Sequence, residues 1–299
     1  MANSIGTEST SIETRRIAHR TTGHRQGPIT RLMSPGDIGE LVKPFVFLDY
    51  FEFPAAVNIG LPVHPHSGIA THTTLLQGSI DYADSTGKAG ILHPRSIEWM
   101  QAGGGVWHGG GPCGAEPLRG FQLWIALPPH LELAKAYSDY VPSDSIPNDG
   151  GTRLLLGSYG YLKSTIAYEE PVTYLEVRLR DGERWTYQAP ASHDVAWLAV
   201  ATGSVLVDKV LLRREMAVFE EGSAPIEVVA HGDVEFVIAS AMKHPFPLIT
   251  GSYSVHTNRH ALDLGEAGYA SIARSMNLTP GKSIHAPLAV TRSVSVEPA

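Results

Sequence analysis

His64-Pro65-His66 and the later run Gly103-Gly104-Gly105-Val106-Trp107-His108-Gly109-Gly110-Gly111 hold the side chains best suited to chemistry in this 299-residue chain. Two imidazoles two residues apart on an extended segment point to the same side of a strand. The glycines around His108 let the backbone turn sharply enough to bring a third imidazole to the same point. Three neutral His nitrogens suit a borderline transition metal and leave coordination positions open, as catalytic rather than structural sites do. No Asp or Glu stands close behind either cluster, so the expectation is an all-histidine metal site on His64, His66 and His108. The glycine run is not a phosphate loop: it lacks a Gly-Lys-Ser/Thr ending, and Gly87-Lys88 is followed by Ala89.

The elements that must position these residues read mostly as short strands with Gly and Pro punctuation. Thr71–Leu76 then Gly78–Tyr82 reads as strand, turn, strand, with further strands at Ser96–Met100 and Gly120–Leu127. Pro128-Pro129 predicts the start of a short helix running to Tyr140, with Leu131, Ala134 and Tyr137 at helical spacing. A linker follows over Val141–Gly151, and strands resume at Thr173–Leu179, Asp194–Val200 and Val234–Ala239. Thr202-Gly203-Ser204-Val205 echoes Gln77-Gly78-Ser79-Ile80, and the shared order of strands points to a repeated unit. Regular short strands imply a sandwich or small barrel in each half. Glu266–Leu278 carries Tyr269, Ile272, Ala273 and Met276 on one face of a C-terminal helix. The expected division is one domain over residues 1–141 holding the metal, a second over 151–280 without ligands, and a loose tail over 281–299.

Composition narrows the function classes. A net charge of −7 argues against a nucleic-acid or anionic-membrane partner, which would need a basic face. The single cysteine, Cys113, excludes an intramolecular disulfide and a cysteine-based zinc ribbon. The polar start of the chain and the lack of an eighteen-residue apolar run lead to the expectation of a cytoplasmic protein.

His64-Pro65-His66-Ser67-Gly68, Leu75-Leu76-Gln77-Gly78, Glu98-Trp99-Met100-Gln101-Ala102-Gly103 and Gly120-Phe121-Gln122-Leu123-Trp124 together resemble the N-terminal cupin of the pirin family. Phe45-Val46-Phe47-Leu48-Asp49 matches the family's entry strand, and Leu248–Asn258 resembles its closing segment less closely. The resemblance implies an all-β bicupin, two barrels face to face with a metal in the N-terminal one. It also implies either a quercetin-oxidising dioxygenase or a metal-dependent regulator of a protein partner, with some members lacking metal. The implied metal is a divalent transition ion, iron first, with zinc, manganese, nickel or copper as alternatives.

The chain departs from the family pattern at the carboxylates. The Glu that usually stands two residues after the later His falls on Gly110, and the cupin carboxylate four residues after the second His falls on Ala70. Loss of an anionic ligand weakens a site and opens a position for water, dioxygen or a chelating substrate. A dioxygenase also needs an acceptor for the substrate's proton. The expected catalytic residue is His72, which shares a strand face with Ala70, in a second-layer or substrate-contacting role. The partners expected are a flavonol-like aromatic or another protein, with no direct contact to nucleic acid or membrane.

Overall fold

The computed structural model describes residues 13–55 and 61–278; the expected tail over 281–299 lies outside them. The chain is all-β with two barrels and a C-terminal helix, and cupin-like in both halves. The first barrel is built from two sheets. A seven-stranded sheet runs in the order Tyr137–Val141, Ile97–Gln101, Ile69–Gln77, Leu118–Ala126, Phe45–Phe53, Ile29–Met33, His24–Gln26. A four-stranded sheet opposite it runs Leu61–His66, Val106–Cys113, Ser79–Asp84, Ala89–Leu92. Every neighbouring pair is antiparallel.

In the second barrel a single ten-stranded sheet wraps around its own core. Its long strands, Val195–Val207 and Ile226–Ala241, pair over most of their length, with register shifts near Thr202 where the sheet bends. The interior is filled by apolar side chains such as Leu175, Leu198, Phe236 and Ile238, each fully buried. A further core lies between the barrels, where Trp99 and Phe121 of the first meet Tyr174 and Trp197 of the second.

The echoed turns occupy matching places. Gly78 and Gly203 both adopt positive φ, 76° and 73°. A Cβ on either would come within about 2.5 Å of a carbonyl oxygen, that of Pro117 or Asp233. Only glycine serves there.

The first strand and the last helix of the described residues each cross to the other unit. Ile17–Thr21 pairs with Met216–Phe219 in the second barrel's sheet, although it lies in the segment expected to form the first domain. The helix Arg259–Met276 packs on the first barrel: Trp107 Nε1 donates to the Tyr269 carbonyl (2.7 Å), and Gly105 lies against the Tyr269 backbone. The helix is capped by the Asn258 side chain, which accepts from Ala261 N, and it starts earlier than the periodicity from Glu266 indicates.

The helix expected after Pro128-Pro129 is not formed. Leu131 N and Glu132 N both bond to the Pro128 carbonyl and Ala134 N bonds to Leu131, which makes turns only. Tyr137–Val141 then extends and pairs with Ile97–Gln101. An open sheet edge offers a full ladder of hydrogen bonds, and this outweighs helical spacing in so short a segment. Among the described residues no helix is long and apolar enough to cross a membrane.

Candidate metal centre

Antiparallel register assembles the imidazoles. His108 pairs directly with His64, and Val106 with His66, across the Leu61–His66 and Val106–Cys113 strands. His64 and His66 share a face, as the two-residue spacing requires. His108 joins them from the neighbouring strand, and the ligand nitrogens of all three lie within 4.8 Å of one another. These are the three residues that the sequence marks out for a metal.

Each ring is oriented by its Nδ1 atom. His64 Nδ1 lies 2.8 Å from the Pro62 carbonyl oxygen and His66 Nδ1 lies 3.1 Å from that of Tyr253. A carbonyl oxygen only accepts, so both Nδ1 atoms carry the proton and both Nε2 atoms present a lone pair. His108 turns its Nδ1 toward Glu98 Oε1 at 3.5 Å. Its Nε2 faces His64 Nε2 at 3.0 Å, and His66 Nε2 is buried without any hydrogen-bond partner. Bare lone pairs converging in a buried place are a poor arrangement for the protein alone and a good one for a cation. Two nitrogens that share one ion at metal–nitrogen lengths of about 2.0–2.1 Å would sit about 3–3.5 Å apart, the range of the His64–His108 separation. The residues present fit a transition metal.

Burial depresses the basicity of His64 and His66, as a metal ligand needs. His64 is brought down to about 4 by burial first and by the neighbouring His108 second. His66, fully buried, falls well below the usual imidazole value for the same reason, with His64 and His108 adding to it. Neutral rings are the ligating form.

Glu98 is a residue of the site that sequence reasoning missed. Its carboxylate lies in the first barrel's interior and accepts from the Thr73 hydroxyl at 2.5 Å, with the Tyr140 hydroxyl 3.4 Å away. Burial pushes this carboxyl up, but its contacts with the His108 ring and the Thr73 hydroxyl outweigh it and hold Glu98 below the ordinary glutamate value. An acidic residue inside the otherwise apolar run Ile97-Glu98-Trp99-Met100 is the signal that could have found it.

His72 goes elsewhere. Its Nε2 lies 3.3 Å from the Leu155 carbonyl oxygen, its Nδ1 is 3.2 Å from the Thr74 hydroxyl, and its ring packs edge-on against Tyr174. All of this is in the core between the barrels, where Ala70 is also buried. Thr73, not His72, faces the interior of the first barrel.

A cavity of about 350 Å³ opens onto His64 and His108. Stacked rings form two of its walls: Phe47 on Trp124, 4.0 Å between centroids, and Tyr82 on Tyr140, 3.6 Å. Phe47 and Trp124 are directly opposed cross-strand partners, which brings their rings face to face. Trp124 lines the cavity and meets His66 edge-on at 4.8 Å. Arg31 lies over Phe47 and is bonded to Asp49, so the cation and the anion in that wall neutralise each other.

Tyr253 lines the cavity beside His64 and His66. Its segment is clamped by Ser67 Oγ at 3.0 Å from His256 Nε2, and by Glu132, which meets His256 Nδ1 at 3.0 Å and accepts from Thr257 N at 2.8 Å. This serine, histidine and carboxylate sequence has the order of a hydrolytic triad. Gly265 of the C-terminal helix packs onto it so closely that a Cβ there would lie 2.4 Å from His256 Nε2 and 2.6 Å from Ser67 Oγ. No space is left for a substrate, and the trio acts as a structural clamp.

Comparison with known proteins agrees with this architecture. The pirin family model matches residues 28–125. A pirin-like protein of Caulobacter vibrioides is 32% identical over 202 residues, covering 62% of this chain and 69% of its own length. A Pseudomonas aeruginosa protein, provisionally named a quercetin 2,3-dioxygenase, is 33% identical over 216 residues, covering 68% of this chain and 70% of its own. The crystal structure of a quercetin 2,3-dioxygenase from Acinetobacter baumannii superposes with a TM-score of 0.75 at 22% identity, over 88% of this chain and 96% of that one. With two barrels, a histidine trio in the first, and relatives matched over more than two thirds of their length, this chain belongs to the pirin family.

Proposed function

We propose that this protein is a metal-dependent oxygenase acting on a planar hydroxylated aromatic of the flavonol class. The observation that carries the reading is the convergence of three unprotonated Nε2 atoms at the base of an aromatic-walled cavity. His64, His66 and His108 would hold the ion. Iron is the first choice, with zinc, manganese, nickel or copper as alternatives, and a bound ion of this kind supplies Lewis-acid polarisation and access to dioxygen chemistry.

The chain's own residues do the rest. The Phe47–Trp124 and Tyr82–Tyr140 stacks offer flat apolar faces to a flat substrate. Gln122 and Thr73 add polar groups to the lining that can orient a hydroxyl or keto oxygen. The volume lies near the lower end of the range for small-molecule sites. A concave site of this size favours a small molecule over a protein partner at this position. The relative's provisional quercetin dioxygenase name supports the same substrate class.

Oxygen uptake with quercetin tests the reading. Iron-loaded wild type should consume oxygen and His66→Ala should not. Equal turnover by the two would overturn it.

A further inference from the structure

We propose that Glu98, acting through His108, supplies the negative charge that the metal centre lacks at position 110. The inference rests on the metal reading above and adds a positioning residue to it. The direct carboxylate is excluded by geometry. Gly110 lies in the middle of the four-stranded sheet, between Leu61 on one side and Tyr82 on the other. A Cβ at Gly110 would stand 1.9 Å from the Asp81 carbonyl oxygen. No side chain of any kind fits there unless the strands part.

Glu98 reaches the same centre from the opposite sheet. It is 7% exposed, and Oε1 lies 3.5 Å from His108 Nδ1 while Oε2 is fixed by Thr73. The three imidazoles are therefore not equivalent. His64 and His66 donate to neutral carbonyl oxygens, whereas His108 faces a carboxylate. A carboxylate on the far nitrogen of a ligating imidazole fixes its tautomer and makes its near nitrogen a stronger donor. The anion thus stays in the site one imidazole away from the ion, and the position vacated at Gly110 stays open on the cavity side.

The test is cobalt(II) affinity, measured by competition with a chromogenic chelator, on wild type, Glu98→Gln, Glu98→Asp and His108→Ala, with the cobalt visible absorption spectrum recorded alongside. Loss of such an outer partner typically weakens metal binding about 10–100-fold. Glu98→Gln should bind at least about 10-fold more weakly and shift the cobalt bands. Glu98→Asp should fall between it and wild type, and His108→Ala should lose the site. The band shift reports donor strength at the ion, which a merely structural residue would leave unmoved. Should Glu98→Gln fail to fold, Glu98→Asp carries the test, since a wild-type affinity and spectrum in it would contradict the proposal. Equal affinity and spectra in wild type and Glu98→Gln would overturn this inference alone. Failure of wild type to bind cobalt, zinc or iron would overturn the metal reading and this inference with it.

Discussion

His64 and His108 stand directly opposite each other across two antiparallel strands, with their Nε2 atoms 3.0 Å apart. With their other nitrogens turned to oxygen atoms, the pair is arranged to share a cation rather than a proton. An ion bound only by the folded chain stabilises it by mass action, by about 2.7 kcal/mol at a hundredfold excess over Kd. Thermal denaturation with and without chelator should show this gain in wild type and lose it in His66→Ala. An equal chelator effect on both proteins would place the ion elsewhere.

Restoring the family's glutamate should fail. Gly110→Glu places its Cβ against the Asp81 carbonyl oxygen, so the Val106–Cys113 and Ser79–Asp84 strands must separate. Overpacking of this kind costs about 1–3 kcal/mol or more. The variant should melt lower than wild type and bind metal no better. A gain in metal affinity at unchanged stability would contradict the steric account.

Much of this centre is legible in the sequence, and the exceptions have physical causes. A two-residue spacing fixes that His64 and His66 share a face, and the glycines flanking His108 mark a backbone under close approach. Spacing sets parity but not which face looks into the cavity. His72 does share a face with Ala70, and that face turns to the second barrel. Glu98 escapes notice because an acidic residue in an alternating strand ordinarily marks the solvated face. Here both faces of Ile97–Gln101 are buried, one by the cavity and one by the second barrel. Pairing of Ile17–Thr21 with Met216–Phe219 leaves no local trace, since its partners are some two hundred residues apart.

The buried His72 makes stability depend on pH. Burial brings its pKa down to about 4, partly offset by the Leu155 carbonyl. Between the ordinary value near 6.5 and about 4, the unfolded chain binds a proton that the folded chain does not. The contribution is whole above pH 6.5 and is lost as the pH falls through that window, by about 2 kcal/mol near pH 5. Urea denaturation at pH 7 and pH 5 should show a smaller loss in His72→Gln than in wild type. An identical loss in both would show that His72 is not the source.

Glu176 joins the two barrels. Its fully buried carboxylate takes Arg153 of its own barrel and Arg95 of the first, the latter at 2.9 Å. Removing one partner of a buried ion pair costs about 3–5 kcal/mol; here the loss leaves Arg153 without an anion, while Arg95 keeps Glu235 at 3.7 Å. Glu176→Ala should lower the urea midpoint accordingly. A change within a few tenths of a kcal/mol, the range of ordinary surface substitutions, would contradict the account of this contact.

Metal content is the most direct test of the central claim. Untagged protein, purified without oxygen and analysed by elemental mass spectrometry, should carry close to one transition-metal ion per chain, and His108→Ala should carry almost none. Wild type that takes up no iron, zinc, manganese, nickel or copper even after loading would contradict the three-histidine centre and the oxygenase built on it.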